Sequence, residues 1–214
     1  MRRWTELSML LLLITAAGFV SPAARPQDNA APPIPRQDNA RQVDNGGWIT
    51  LFDGKNLDNW HAIGNANWKL LDGAVQADQG SGFLVSNKSY SDFQVRAEFW
   101  VDADANSGVF LRCSDPQHVT SANAYEVNIY DKNLEYGTGA IVDLVKPSTN
   151  LKAAGRWNTY EITAKGPHFT IILNGAKTAE LDDTKHPQGP IALQYSAGLV
   201  KFRSVQIKPL PNTP

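Results

Sequence analysis

An alternation of apolar and polar side chains with a period of two residues is the feature that most constrains the fold of this sequence. In the segment 92–102 the apolar positions are Phe93, Val95, Ala97, Phe99 and Val101, and between them lie Gln94, Arg96, Glu98 and Trp100. This period is typical of a half-buried β-strand. No segment after residue 46 sustains the period of an amphipathic helix over three turns, so the sequence predicts strands throughout.

Further strands and two tight hairpins are predicted along the rest of the chain. The segments with strand character are 107–114, 124–131, 157–164, 169–173, 191–196 and 200–208. Asp72-Gly73 separates the runs 68–71 and 74–77, and Asn174-Gly175 separates the runs 169–173 and 176–181. Both dipeptides suit a type I′ turn. About a dozen short strands with turns between them predict an all-β, antiparallel β-sandwich, and a jelly roll is favoured over a barrel.

The first 45 residues are predicted to be a targeting segment followed by a linker. Arg2 and Arg3 precede an apolar run at 7–20, which is too short to span a bilayer and has the length of a signal-peptide core. We therefore expect a signal peptide at 1–24, a disordered Pro-, Asn- and Gln-rich linker at 25–45, and a jelly-roll domain at 46–214. A buried hydrophobic helix at 7–20 is the alternative. Export to the periplasm or the cell exterior is expected, with no membrane span after processing.

The charge balance excludes one class of partner. The chain has 20 basic and 21 acidic residues and a net charge of −1, whereas nucleic-acid binders carry a basic excess. A single cysteine, Cys113, excludes an intramolecular disulfide, and the four histidines show no metal-binding spacing. Cys113 alternates with Val109 and Leu111, which predicts a place for it in the core.

The polar sides of the predicted strands hold an unusual set of groups. If these strands are neighbours, one surface gathers Glu98, Arg112, Glu126, Asn128, Gln194, Lys201 and Arg203, with Trp100, Phe110 and Tyr130 among them. Hydrogen-bonding groups beside aromatic rings are what a sugar ligand requires. The alternative is the ordinary solvated outer face of a sandwich, with ion pairs between its charged residues.

Several motifs together carry a resemblance to a known family. They are LFDGKNLDNW at 51–60, NSGVFLR at 106–112, YEVNIYD at 125–131, TGAI at 138–141, WN at 157–158, LNG at 173–175, GPIALQ at 189–194 and FR at 202–203. In this order and spacing they resemble the 3-keto-disaccharide hydrolase family, also described as 3-keto-glucoside lyase/hydratase domains, over roughly residues 47–210. The resemblance implies a concanavalin-like jelly roll, export from bacterial cells and carbohydrate chemistry.

The sequence also departs from the usual pattern of that family. Asn128 replaces a frequent Gln, Val142 a Tyr, and Ser204 an Asn, while Tyr195-Ser196 replaces a common Asp-His. The absence of this His removes a natural proton shuttle.

The chemistry that the resemblance implies is elimination from a 3-keto-glycoside followed by hydration. A base removes the proton at C2, the group at C1 leaves, and water then adds. We expect Glu126 to be the base and Arg112 the cation that stabilises the enolate, with Glu98 as the alternative base. The expected substrate-binding residues are Glu98, Asn128, Tyr130, Asp131, Gln194, Lys201 and Arg203. Ion pairs of Glu126 with Arg112, or of Glu98 with Arg96 or Arg203, are the alternative for these carboxylates.

No cofactor is required by this scheme, although Asp131, Glu126 and Asp143 are oxygen ligands that could together hold a divalent cation. No nucleotide-binding motif is present, so a separate oxidoreductase is expected to supply the 3-keto sugar. A non-catalytic carbohydrate-binding module and a domain for protein–protein contact are the alternative functions. Glu126 and Arg112 favour the enzyme, and the missing His favours the binding module.

Overall fold

A computed structural model describes residues 46–211 of the chain. The predicted signal peptide at 1–24 and linker at 25–45 lie outside the described residues, as do residues 212–214. Within 46–211 there is no helix long and apolar enough to cross a bilayer.

Thirteen strands make up the described part of the chain, close to the predicted dozen. They are β1 (Ile49–Phe52), β2 (Trp60–Gly64), β3 (Lys69–Leu71), β4 (Ala74–Ala77), β5 (Gly82–Ser86), β6 (Phe93–Val101), β7 (Ser107–Leu111), β8 (Tyr125–Ile129), β9 (Trp157–Lys165), β10 (His168–Leu173), β11 (Ala176–Asp182), β12 (Ala192–Tyr195) and β13 (Val200–Pro209).

The strands form two antiparallel sheets. The eight-stranded sheet has the order β11-β10-β9-β6-β13-β4-β3, with β1 also paired to β13. The five-stranded sheet has the order β2-β5-β12-β7-β8. Consecutive strands such as β6 and β7 therefore belong to different sheets, which is the topology of a jelly roll. The predicted all-β, antiparallel β-sandwich is confirmed.

The core lies between the two sheets, and the predicted alternation places the right residues in it. Phe93, Val95, Ala97 and Phe99 of β6 are fully buried, and Phe99 stacks on Tyr160 of β9 with ring centroids 5.0 Å apart. In β13, Val200 and Phe202 are buried before a bulge at Arg203, and Val205 and Ile207 are buried after it. The bulge adds one residue and so moves the buried positions from even to odd numbers.

Both predicted hairpin turns have the backbone geometry of type I′. The φ angles are 51° and 72° at Asp72 and Gly73, and 52° and 83° at Asn174 and Gly175. Both central residues of such a turn need positive φ, which Asn, Asp and Gly tolerate best.

Replacement of Gly175 by Ala isolates the cost of this backbone geometry. A Cβ atom at Gly175 would have no atom within 4 Å, so it introduces no clash. We expect Gly175→Ala to lower the free energy of unfolding by about 1 kcal/mol, because an L-residue is disfavoured at positive φ. Chemical denaturation checks this, and an unchanged midpoint would contradict a left-handed turn at this position.

Candidate functional site

The outer face of the five-stranded sheet presents two parallel rows of side chains, which we call the platform. Strand pairing aligns the first row as His61, Val85, Ala192, Phe110 and Glu126. It aligns Ile63, Phe83 and Gln194 in the second row. On the next two strands the row continues with the paired residues Gly108 and Asn128, next to the last paired residues of β12 and β7, Leu193 and Val109. Adjacent members of a row are about 4.8 Å apart across the sheet. Of the predicted site residues, the platform thus holds Glu126, Asn128 and Gln194.

Glu126 leans from β8 across Gly108 of the neighbouring strand. A Cβ atom at Gly108 would lie 3.3 Å from both Cγ and Oε1 of Glu126, and 3.2 Å from Cε2 of Phe110. The glycine therefore leaves room for the carboxylate and the ring to approach each other over the sheet. On the other side of β7 lies β12, where Gln194 follows Leu193, the partner of Val109. The side chains of Glu126 and Gln194 therefore lie on either side of β7, on the same face of the sheet.

The pKa of Glu126 is raised from its ordinary value of 4.5 to about 7. Desolvation by burial is the larger cause, and the negative charge of Asp143 adds to it. Asp143 lies next to a segment that runs along β8, where the Val142 N–H donates to the Glu126 carbonyl at 3.0 Å. The Asp143 carboxylate accepts a hydrogen bond from Ser121 Oγ at 3.0 Å. A carboxyl group with a pKa near neutral pH can both take up and release a proton there.

The side-chain oxygen of Gln194 is a hydrogen-bond acceptor to which no group donates. Its Oε1 is buried and has no hydrogen-bond partner among the described residues. Leaving a buried acceptor unsatisfied costs about 1–3 kcal/mol, and a ligand hydroxyl could recover this cost once the side chain turns its oxygen outward.

The middle of the platform is apolar and is covered by the segment that connects β7 to β8. Val85, Phe110 and Ala192 are buried in a cluster with Cys113, Val119 and Ala124 from the segment that connects β7 to β8. Phe83 and Ile63 pack at the edge of this cluster and stay partly exposed. Phe83 meets Phe110 edge-on, with ring centroids 5.1 Å apart.

The prediction that Arg112 shares a face with Glu126 is wrong. Arg112 has a φ of 53°, a left-handed conformation that ends β7 and breaks the alternation of sides. Its guanidinium therefore points to the end of the sandwich and packs 4.9 Å from the Phe169 ring centroid. It donates to the carbonyls of Ser91 at 2.7 Å and Gly166 at 2.8 Å, and pairs with Asp92 at 3.2 Å.

The left-handed conformation of Arg112 also changes the face on which the Cys113 side chain lies. Alternation predicts that it shares the core face with Val109 and Leu111, but it packs instead in the outer cluster with Phe110. It is nevertheless buried as predicted, and burial raises the pKa of its thiol to about 12, which keeps the thiol protonated.

Three further predicted residues lie on the other sheet. Glu98 on β6 and Lys201 and Arg203 on β13 project from the outer face of the eight-stranded sheet, away from Glu126. Glu98 forms an ion pair with Arg203, the structural alternative considered for it. Arg203 stacks on Trp157 at 4.3 Å and Lys201 lies 5.2 Å from the Trp100 ring centroid. The prediction of one shared surface is wrong because alternation identifies the side of a strand but not the sheet that contains it.

The remaining predicted residues organise loops around the end of β8. The side chain of Asn128 is buried and donates to the carbonyl of Tyr136. Asp131 accepts hydrogen bonds from Thr138 Oγ1 at 2.6 Å and from the amides of Ala153 and Ala154, both at 2.9 Å. Tyr130 directly follows β8 and is partly exposed.

The candidate cation ligands do not assemble. Because the Asp131 carboxylate is occupied by loop hydrogen bonds, Asp131, Glu126 and Asp143 form no cluster, and residues 46–211 hold no group of three or more potential metal ligands.

His61 does not replace the histidine missing after Gln194. It occupies β2, four strands from Glu126 in the same row, or about 19 Å across the sheet. Its Nδ1 is 2.9 Å from Asn87 Oδ1. This separation excludes direct proton exchange between His61 and Glu126.

Sequence reasoning missed Gly108, Phe83 and Ile63 as parts of the platform. Gly108 stands inside a predicted strand, where an isolated glycine often marks a close approach of other groups. That signal was available, whereas Phe83 and Ile63 lie on short strands without an extended alternating pattern.

Solved structures of other proteins share this architecture. A candidate glycosyl hydrolase from Parabacteroides distasonis ATCC 8503 superposes with a TM-score of 0.70 at 21% identity, covering 78% of this chain and 95% of that one. A second candidate glycosyl hydrolase from the same organism gives 0.65 at 29% identity, covering 76% and 99%. The carbohydrate-binding module CBM66 of Bacillus subtilis gives 0.56 at 18% identity, covering 76% and 95%.

The fold and the platform define a concanavalin-like jelly-roll domain with a polar site on its smaller sheet. Residues 47–208 match the family of 3-keto-alpha-glucoside-1,2-lyase-like domains, and the chain belongs to that family. A 3-keto-disaccharide hydrolase of Bacteroides thetaiotaomicron is 30% identical in an alignment 92 residues long, and the alignment covers 37% of this chain. The match spans 31% of the length of that relative.

Arg112 is buried and Arg203 is exposed, so replacing them should lower the free energy of unfolding by different amounts. Arg112→Met takes the cation from the buried Asp92 carboxylate, and we expect a loss of about 3–5 kcal/mol in the free energy of unfolding. Arg203→Met breaks an exposed pair and should cost under about 1 kcal/mol. Denaturant unfolding of both variants checks this, and equal losses would contradict the structural role of Arg112.

Neutralising Glu126 should change how stability depends on pH. The pKa of Glu126 in the folded protein lies above its ordinary value, so between about pH 4.5 and pH 7 the folded state holds a proton that the unfolded state has released. The folded protein therefore loses stability as the pH rises through this range. Glu126→Gln removes this loss, and the variant should be the more stable protein at pH 8 by about 2 kcal/mol, allowing for solvent screening.

Thermal and denaturant unfolding at about pH 5 and pH 8 measure this difference. Glu161→Gln is the control, because Glu161 is exposed on the eight-stranded sheet and should show no such effect. If the stability of the wild type relative to Glu126→Gln does not fall as the pH rises, the Glu126 carboxyl is not desolvated in the folded protein.

Proposed function

We propose that this domain cleaves 3-keto-glycosides on the platform, with Glu126 as the acid–base group. The observation that carries the proposal is a half-buried carboxyl group, with a pKa of about 7, packed over Gly108 on the same sheet face as the unsatisfied Gln194 amide oxygen. A base poised near the working pH is the requirement for abstracting the C2 proton of a ketone-activated sugar. Membership of the 3-keto-alpha-glucoside-1,2-lyase-like family supports the same substrate class.

The reaction proceeds by elimination and hydration. The Glu126 carboxylate takes the C2 proton, and the C2–H electron pair delocalises towards the C3 ketone as an enolate. The C1–O bond then breaks, its electrons go to the leaving oxygen, and that oxygen takes up the proton that Glu126 carries. Water adds across the resulting C1–C2 double bond, with hydroxide at C1 and a proton at C2. The net reaction is hydrolysis, with no oxidation or reduction.

Gln194 positions the sugar in this scheme. When the Gln194 side chain rotates outward, its Oε1 accepts a hydrogen bond from a sugar hydroxyl and so gains the partner that it lacks in the free protein. Its amide nitrogen offers a donor to an oxygen on the same ring. Arg112 does not take part, because its guanidinium is committed to Asp92 and to backbone carbonyls at the end of the sandwich.

The cellular setting follows from the same chemistry and is part of the proposal. A hydrolysis without redox change uses a ketone made elsewhere, so a separate oxidoreductase supplies the 3-keto-glycoside. The N-terminal residues 1–24 direct the domain out of the cytoplasm.

A second candidate function is a non-catalytic carbohydrate-binding module. The displacement of Arg112 favours it, because the predicted enolate-stabilising cation is absent from the face that holds Glu126. A module would bind a sugar at Gln194 and Phe83 without turnover.

Turnover of a 3-keto-glucoside by wild type and Glu126→Gln decides between the two. The enzyme proposal predicts a fall in kcat of about 10²–10⁴-fold in the variant, with binding retained. It also predicts a wild-type kcat/KM that rises with pH and levels off above about pH 7, because only the ionised carboxyl accepts the proton.

Glu98→Gln is the matched control, since Glu98 was the alternative base and lies on the other sheet. It should retain wild-type turnover. Sugar binding without turnover in the wild type would leave the binding module, and a loss of turnover in Glu98→Gln alone would contradict the assignment of the site to the platform.

A further inference from the structure

We infer that the platform contains a leaving-group subsite, formed by Phe83 and Ile63, that takes an apolar aromatic aglycone. The inference rests on the proposed function and adds the substrate class. A second sugar as the leaving group is the competing occupant.

The position of the two side chains along the sheet supports this subsite. In the second row of the platform the order is Ile63, Phe83, Gln194 and Gly108, and the Glu126 carboxylate lies over Gly108. Phe83 is therefore about 10 Å from Gly108 across the sheet, and Ile63 about 14 Å. A sugar ring held between Glu126 and Gln194 would extend its C1 substituent onto Phe83 and Ile63.

The chemistry of this stretch suits an apolar group. Phe83 and Ile63 are partly exposed, whereas Val85, Phe110 and Ala192 beside them are buried. The Phe83 ring is held edge-on by Phe110, so it presents a fixed surface to a ligand ring. The polar His61 at this end of the platform already hydrogen-bonds to Asn87, which in turn donates to the carbonyl of Asp58. A second sugar needs hydrogen-bonding groups for its hydroxyls, and neither Phe83 nor Ile63 provides one.

The aromatic surface of the eight-stranded sheet is less suited to the same role. Its rings Trp157 and Trp100 are covered by Arg203 and Lys201. It also lies on the opposite side of the sandwich from Glu126.

Two substrates with similar leaving-group chemistry test the subsite: the 3-keto-glucoside of benzyl alcohol and a 3-keto-disaccharide. We expect wild type to have the higher kcat/KM for the benzyl glycoside. Phe83→Ala should lower the ratio of the two kcat/KM values by about tenfold, the scale of one aromatic contact. Ile63→Thr keeps the β-branched shape of an edge-strand residue and should lower the ratio by about threefold, so the test does not depend on one variant folding. Leu70→Ala is the control, because Leu70 is an exposed apolar residue on the other sheet, and its ratio should be unchanged.

Each outcome has one meaning. A higher kcat/KM for the disaccharide, or a ratio unaffected by both Phe83→Ala and Ile63→Thr, overturns the subsite while leaving the proposed function in place. If neither compound is turned over, the proposed function fails, and calorimetric binding of the same two compounds to the wild type then decides the subsite. Tighter binding of the benzyl glycoside, weakened in Phe83→Ala, supports it, and equal binding overturns it.

Discussion

The packing of the two sheets against each other is the interaction on which every other feature of this domain depends. Each strand commits one face to that contact, as β6 does with Phe93, Val95, Ala97 and Phe99. Because successive side chains of a strand point to opposite faces, the other side chains of the strands lie on one of two outer faces. The polar groups of the strands are therefore divided between two surfaces that cannot act together. Within residues 46–211, the smaller sheet is the one that combines a desolvated carboxyl with an unsatisfied amide oxygen.

The raised pKa of Glu126 depends on a small neighbour, Gly108, as well as on the charged neighbour Asp143. Gly108 lets the carboxylate lie against the sheet and the Phe110 ring, where water is excluded, and Asp143 opposes its ionisation. This arrangement reduces the stability of the folded protein at neutral pH, since a carboxyl in an apolar setting is harder to ionise than one in water. Such a local loss of stability is common where a side chain is prepared for reaction.

Much of the fold could be predicted from the sequence, because periodicity and turn chemistry are local properties. The alternation in β6 and the two type I′ turns at Asp72-Gly73 and Asn174-Gly175 are as predicted. The composition of the site could be predicted only in part. Glu126 and Gln194 share a face as expected, but Glu98 and Arg203 do not, since sheet membership depends on long-range pairing. The position of Arg112 depends on its own left-handed conformation, which breaks the alternation, and this position holds neither the glycine nor the asparagine that usually signals such a conformation.

The most direct test of this account is a titration of the Glu126 carboxyl carbon by NMR, with Glu126→Gln used to assign the resonance. The account predicts a midpoint at about pH 7, and a displacement of the resonance when a 3-keto-glucoside is added. A midpoint near the ordinary value of 4.5, together with a resonance that the sugar does not move, would contradict it.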